Sequence, residues 1–432
     1  MKDPIKEIFD FKKQELPVVS LLFLFFFMVI AVFQMLYPLK KGLFIEHYGA
    51  DLELYAKFTN ILVAALGVTA FTFLYNKVSR QRVIYIFCFF FIVCFLSLTS
   101  LLAEPTPLPI WGFYLLGDLV TTLLVVSFWA YATDISTANQ AKRLFGVIGG
   151  GGIVGGFVGS ALARILLPEI GTHGLLFLAA AFMAIIILAI YLTELLIPRS
   201  GAFLQTATRT PVEKEAAEDK SKTSAAIEGA QLVMRSRYLA AIVGIMAFYE
   251  MASQVVDYQF SSLTEAVSGE TETLMFMANI RFYANALSVI VQFFLVSLIM
   301  RRLGLVAALL VLPLAFFFSS IAFFAVSTLA IASLLHISDN GLNYSIQQTA
   351  RESLYVVTTP DEKYKARAFT NMFVQRFAKG LSILIVIGIG LLNVELRFLS
   401  TITIVVVILM ALCGIYAGRQ FSRKSKLETS QP

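Results

Sequence analysis

Within long apolar runs of this sequence, a few charged side chains stand where charge is expensive. Arg376 and Lys379 are three apart in one such run, so in a helix they share a face and present two positive charges in one direction. Arg281, with Asn285 one turn on, does the same in another run. Glu250 and Asp257 are seven apart on one face, Asp118 lies inside a further run, and Lys40 and Lys41 close the first. Ionisable groups in membrane helices are costly unless they meet a partner or a water-filled cavity. The chemistry this pattern points to is anion binding. Lys40, Arg281, Arg376 and Lys379 would hold a phosphate or carboxylate, while Asp118 and Asp257 balance those charges when the site is empty. The plainer reading is a set of ion pairs that only latch helices together. Asp134, Arg143, Glu352 and Lys363 fall at helix ends in basic loops, where a gate or latch is expected rather than substrate contact.

The elements that must carry these residues follow from composition. At 432 residues, 58% hydrophobic and 14% charged, the chain is too apolar to keep a soluble surface wet. Lipid is the solvent it needs. Apolar segments long enough to cross a bilayer recur near 17–39, 53–75, 83–102, 109–133, 144–167, 174–197, 238–262, 273–300, 303–326, 328–350, 366–391 and 397–417. They are continuous rather than alternating, which excludes a β-barrel. The expected fold is therefore all-α and integral to the membrane, with about twelve transmembrane helices.

Lys and Arg gather at the termini and in alternate loops: Lys77/Arg80/Arg82, Lys142/Arg143, 199–237, Arg301/Arg302, 351–367 and the tail beyond Arg419. Basic loops stay in the cytoplasm, so both termini are expected there, in a bacterial inner membrane. The net charge of +6 follows from these loops and is not a nucleic-acid signal. The first apolar run has no small-residue cleavage site and reads as a membrane helix, not a signal peptide. Residues 1–16 have the spacing of an amphipathic segment on the inner leaflet or of a frayed polar tail. The polar stretch 198–237 reads as a flexible cytoplasmic linker between six-helix halves at 17–197 and 238–417, with a tail at 418–432.

Several chemistries lack a constellation. The run GVIGGGGIVGGFVGSALA contains the letters of a dinucleotide fingerprint but opens a membrane helix, with no preceding strand. Its glycines, Gly151, Gly155 and Gly159 with Gly152 and Gly156, recur every fourth residue and predict a face on which another helix packs closely. No Walker A, HExxH or GxSxG sequence occurs, and His47, His173 and His336 are scattered. Cys88, Cys94 and Cys413 lie within apolar spans without metal-type spacing. Neither metal nor cofactor is expected, and an enzyme reading has no catalytic group.

A faint internal repeat links the halves. ATDISTANQAKRLF (132–145) ends the fourth span and ARESLYVVTTPDEKYKARAF (350–369) ends the tenth, with Asp134 answering Glu352 and AKRLF answering KARAF. Two six-span halves related by a repeat is the plan of major-facilitator transporters, whose substrate site lies between the halves near the midplane.

Three segments resemble the ATP/ADP translocase family, the nucleotide transporters of plastids and intracellular bacteria. They are YPLKKGLFIEHYGA at the first span, FWAYATDISTANQAKRLFGVIGGGG at the fourth-to-fifth junction, and ARESLYVVTTPDEKYKARAFTNMFVQRFAKG at the tenth-to-eleventh. The resemblance implies a nucleotide substrate whose phosphates are bound by lysines of the first and eleventh spans, which fall here on Lys40 and Lys379. Asp118 and Asp257 lie about one position from the family's membrane carboxylates, and the family's Arg-Asp-x-Lys-Asp pattern reads Tyr37-Pro38-Leu39-Lys40-Lys41, the mark of a divergent relative. The expected partners are an anionic small molecule, a nucleotide by the resemblance, and membrane lipid, with no nucleic acid. The alternative is a lipid-handling or interaction protein of the same fold.

Overall fold

The computed structural model describes residues 14–75, 77–103, 106–200, 203, 228–392 and 394–429. Most of the expected amphipathic segment 1–16 and of the linker 198–237 lies outside the described residues. Each apolar run forms a helix, because only helices satisfy the backbone of a single segment in lipid. Leu16–Tyr75 turns at Gly49 into α1 (residues 16–48) and α2 (residues 50–75), and Gly49 takes φ 73°, a left-handed conformation that suits glycine. Next come α3 (Arg80–Leu101) and α4 (Pro107–Ile135). Ala138–Ser200 turns likewise at Gly171, φ 63°, into α5 (residues 138–170) and α6 (residues 172–200).

The second half runs through α7 (Arg237–Thr264), α8 (Glu270–Arg302), α9 (Gly304–Ala325), α10 (residues 329–354), α11 (residues 360–390) and α12 (Leu399–Thr429). Twelve helical spans are thus traced among the described residues. Two start six residues earlier than hydropathy alone places them, at 138 rather than 144 and at 360 rather than 366. α5 begins at Ala138, and α11 begins at Pro360 behind a capping box in which Thr359 and Glu362 exchange hydrogen bonds. Both additions are polar turns, invisible to a search for apolar residues.

Three spans change register midway. Five-residue π-helical turns interrupt α8 at Val291–Leu295, α10 at Asn343–Gln347 and α11 at Thr370–Val374. The turn in α11 lies immediately before Gln375, so it helps set which way Arg376 and Lys379 face.

By internal contacts the chain forms two units. The first comprises residues 1–44, 62–215 and 270–282, and the second 45–61, 216–269 and 283–432. The first is cored by Val18, Leu22, Phe25, Val29 and Val32 of α1 against Phe87, Phe91 and Phe95 of α3 and Phe128 of α4, all buried. Phe25 meets Phe128 edge-on with ring centroids 5.0 Å apart. The glycine face of α5 lies on α1. A Cβ built on Gly151 would sit 2.7 Å from the Phe23 carbonyl oxygen, and one on Gly155 or Gly159 would overlap the carbonyl of Phe27 or Ala31. In the second unit α7 packs against α10, α11 and α12, with Val255, Ile383, Val386 and Leu399 in its core.

Candidate functional site

In the first unit α1, α4 and α8 bring two buried cations into an aromatic setting. Lys40, 4% exposed, forms an ion pair with Asp118, which stays 31% exposed. Its Nζ lies 5.0 Å from the Tyr114 ring centroid and 5.8 Å from that of Tyr37. Gly117 makes room for it, since a Cβ there would stand 2.6 Å from Lys40 Cδ. Arg281, 3% exposed, donates from Nε to Gln34 Oε1 and rests its guanidinium 4.0 Å from the Tyr37 ring centroid. Tyr37 thus faces both cations, each within the range of cation–π attraction. Pro38, inside α1, leaves the carbonyl one turn earlier without its helical donor, which loosens the helix where Lys40 stands. Lys40, Arg281 and Asp118 are therefore brought together. Gln34, Tyr37, Tyr114 and Gly117 were not singled out from sequence, and aromatic residues are so frequent in this chain that type alone could not mark them.

In the second unit Arg376 and Lys379 stand on α11 one turn after its π-helical turn. Arg376 is exposed and Lys379 half-buried, and neither makes a hydrogen bond or ion pair among the described residues. Glu250 of α7 accepts a hydrogen bond from Gln375 Nε2 at 2.8 Å and feels the charges of Lys379 and Arg351. Asp257 contacts Lys57 Nζ at 2.5 Å, with His336 Nδ1 3.4 Å away on its other oxygen. Lys57 also reaches Glu53 at 3.4 Å, and Ser261 donates to Glu53 at 2.7 Å. Sequence spacing could not show this group, because α2, α7 and α10 each contribute to it. His336, scattered in sequence, stacks on Phe260 with centroids 4.3 Å apart.

The expected latch residues find partners that were not singled out. Asp134 pairs with Arg80, and Glu352 with Arg367. Arg143 pairs with Glu15 at 2.7 Å, while the Lys363 side chain makes no ion pair or hydrogen bond among the described residues. The faint repeat has a physical counterpart. At the start of α5, Arg143 holds Glu15 just ahead of α1, and at the start of α11, Lys365 holds Glu228 ahead of α7 at 2.8 Å.

Solved structures similar to this chain include the nucleoside transporter NupG, with a TM-score of 0.59 and 12% identity over 93% of this chain and 99% of that one. A D-xylose–proton symporter aligns with a TM-score of 0.55 and 13% identity over 94% of this chain and 95% of that one. These likenesses establish the major-facilitator-like fold. Curated relatives include ADP,ATP carrier protein 4 of Rickettsia conorii, 21% identical over 97% of this chain and 94% of the carrier. ADP,ATP carrier protein 1 of Chlamydia trachomatis is 24% identical over 62% of this chain and 56% of the carrier. Residues 110–424 match the model of the TLC ATP/ADP transporter family, and with well over half its length so matched the chain belongs to that family.

Proposed function

We propose that this transporter moves nucleotides across the membrane by alternating access, exchanging ATP and ADP, with 17–197 and 238–417 as the rocking halves. Arg376 and Lys379 carry the reading: two cations on one face of a membrane helix, with no ion-pair partner among the described residues, are stable beside an anion that comes and goes. Arg376 can give a phosphate two parallel hydrogen bonds, and Lys379 serves as a movable point charge. Lys40 and Arg281 are the corresponding phosphate ligands of the first cluster. Asp118 holds the place of a phosphate on Lys40 while no nucleotide is bound. Tyr37 and Tyr114 give that cluster flat faces suited to a base or to the cations themselves. The basic loops and the bacterial relatives favour an inner-membrane location with both termini in the cytoplasm. Uptake of labelled ATP into proteoliposomes loaded with ADP tests the reading. Uptake that requires internal ADP is expected, and failure of the wild-type protein to take up or bind any nucleotide would overturn it.

A further inference from the structure

Arg164 is a cation of the first unit that the nucleotide reading leaves unused. It stands on α5, half-buried, with its guanidinium carbon 4.7 Å from the ring centroid of Phe282 on α8. Phe157, two turns before Arg164 on the same face of α5, packs on the same ring with centroids 5.5 Å apart. Phe282 is thus held by both. Its neighbour in α8 is Arg281, whose guanidinium lies 4.0 Å from the Tyr37 ring centroid, and Lys40 Nζ is 5.8 Å from that same centroid. The contacts therefore run from Tyr114 of α4 through Lys40, Tyr37 and Arg281 to Phe282 and Arg164. Helix register agrees. Gly151, Gly155 and Gly159 of α5 lie against Phe23, Phe27 and Ala31 of α1, each pair 128 residues apart, so the two helices run parallel and Arg164 falls level with Leu36. Lys40 is one turn further along α1, a rise of about 6 Å. The charges are unbalanced. The apolar runs of this unit carry Lys40, Lys41, Arg164 and Arg281 against only two carboxylates, Asp118 and Glu194. Asp118 is paired with Lys40, and Glu194 accepts a hydrogen bond from Tyr131 at 2.7 Å. An excess of positive charge among membrane helices is the balance that a polyanion corrects.

We propose that Arg164 is a third phosphate ligand of the first cluster and engages the end of the phosphate chain, so that it reads a nucleoside triphosphate against a diphosphate. The inference rests on the reading of Lys40 and Arg281 as phosphate ligands. With the base on the Tyr114 face at the α4 end, the phosphate chain runs toward α5 and meets Lys40, Arg281 and Arg164 in turn. A diphosphate ends at Arg281. The phosphate that a triphosphate adds, with its further negative charge, falls to Arg164. A guanidinium suits that place, because its planar fork can give two parallel hydrogen bonds to the unbridged oxygens of a terminal phosphate. Phe282, fixed by Phe157, supports the guanidinium through its ring face. An arginine serving only to anchor the outer end of α5 would extend toward the lipid headgroups instead of lying on a ring of α8.

The test is equilibrium binding of labelled ATP and labelled ADP to the purified full-length protein, read as the ratio of the two affinities. Arg164→Gln should weaken ATP binding roughly ten- to a hundredfold, as expected for a lost charge-assisted contact, and ADP binding by less than about threefold. Arg164→Lys keeps the charge without the fork, so its ATP affinity should fall between those of Arg164→Gln and the parent. In proteoliposomes Arg164→Gln should still exchange ADP for ADP while its uptake of dilute ATP falls. Lys40→Gln, nearer the base, should weaken both nucleotides alike. The proposal is overturned if Arg164→Gln loses ATP and ADP in equal proportion, the result of a merely structural cation, or if it loses neither. Should Arg164→Gln not fold, an Arg164→Lys protein that binds ATP and ADP in the parent's ratio would also overturn it. A parent protein that binds neither nucleotide would instead sink the nucleotide reading, and the role of Arg164 with it.

Discussion

Replacing single glycines along α5 separates a helix that touches α1 through its backbone from one that merely passes near it. A Cβ on Gly155 would overlap the Phe27 carbonyl oxygen and lie 3.0 Å from its carbonyl carbon and Cα, whereas at Gly149 nothing stands within 4 Å. At Gly155 the obstruction is backbone, which cannot swing aside as a side chain can, so the helices must part. Alanine within a helix gains about 0.5–1 kcal/mol over glycine at either position, and that gain cancels between the two variants. What remains is the overpacking at Gly155, about 1–3 kcal/mol. Gly149→Ala should therefore be as stable as the parent protein or slightly more so. Gly155→Ala should be less stable than Gly149→Ala by that amount, and Gly155→Leu worse again. Thermal unfolding of the purified proteins in one detergent at one scan rate measures the order. Equal stability of Gly155→Ala and Gly149→Ala would refute the close contact.

Other substitutions probe the charges. Lys40→Gln removes a charge-assisted contact worth about 1.5–3 kcal/mol, so ATP affinity measured by equilibrium binding should fall roughly ten- to a hundredfold. Tyr37→Phe should leave binding near the parent value because the ring under Arg281 remains, while Tyr37→Leu should cost about 0.5–2 kcal/mol, and equal affinities would show that the ring face is idle. Asp134→Asn breaks a partly exposed pair with Arg80 and should shift stability by less than about 1 kcal/mol while changing the transport rate, read from initial uptake. Met234→Cys, in a protein lacking Cys88, Cys94 and Cys413, should react with an impermeant thiol reagent from the cytoplasmic side, and labelling from outside intact cells would reverse the assigned topology.

The helices were legible because hydropathy is a one-dimensional property: about twenty apolar residues in a row have one stable form in lipid. The glycine face was legible for a similar reason, since a spacing of four on a helix defines a stripe that α1 then fills. Arg376 and Lys379 could be paired from spacing alone because both belong to one helix. The environment of Asp257 could not, since Lys57 and His336 come from α2 and α10 and only tertiary packing brings them to α7. The π-helical turns have no sequence signature here, yet the one at Thr370–Val374 precedes the two cations on which the functional reading rests.

Labelled-ATP binding and uptake by Lys379→Gln and Arg376→Gln, compared with the parent protein, test that reading most directly. Loss of at least about tenfold in affinity, with folding and membrane insertion intact, is expected from removing a charge-assisted phosphate contact. Unchanged binding and uptake in both variants would contradict it and remove α11 from the anion site.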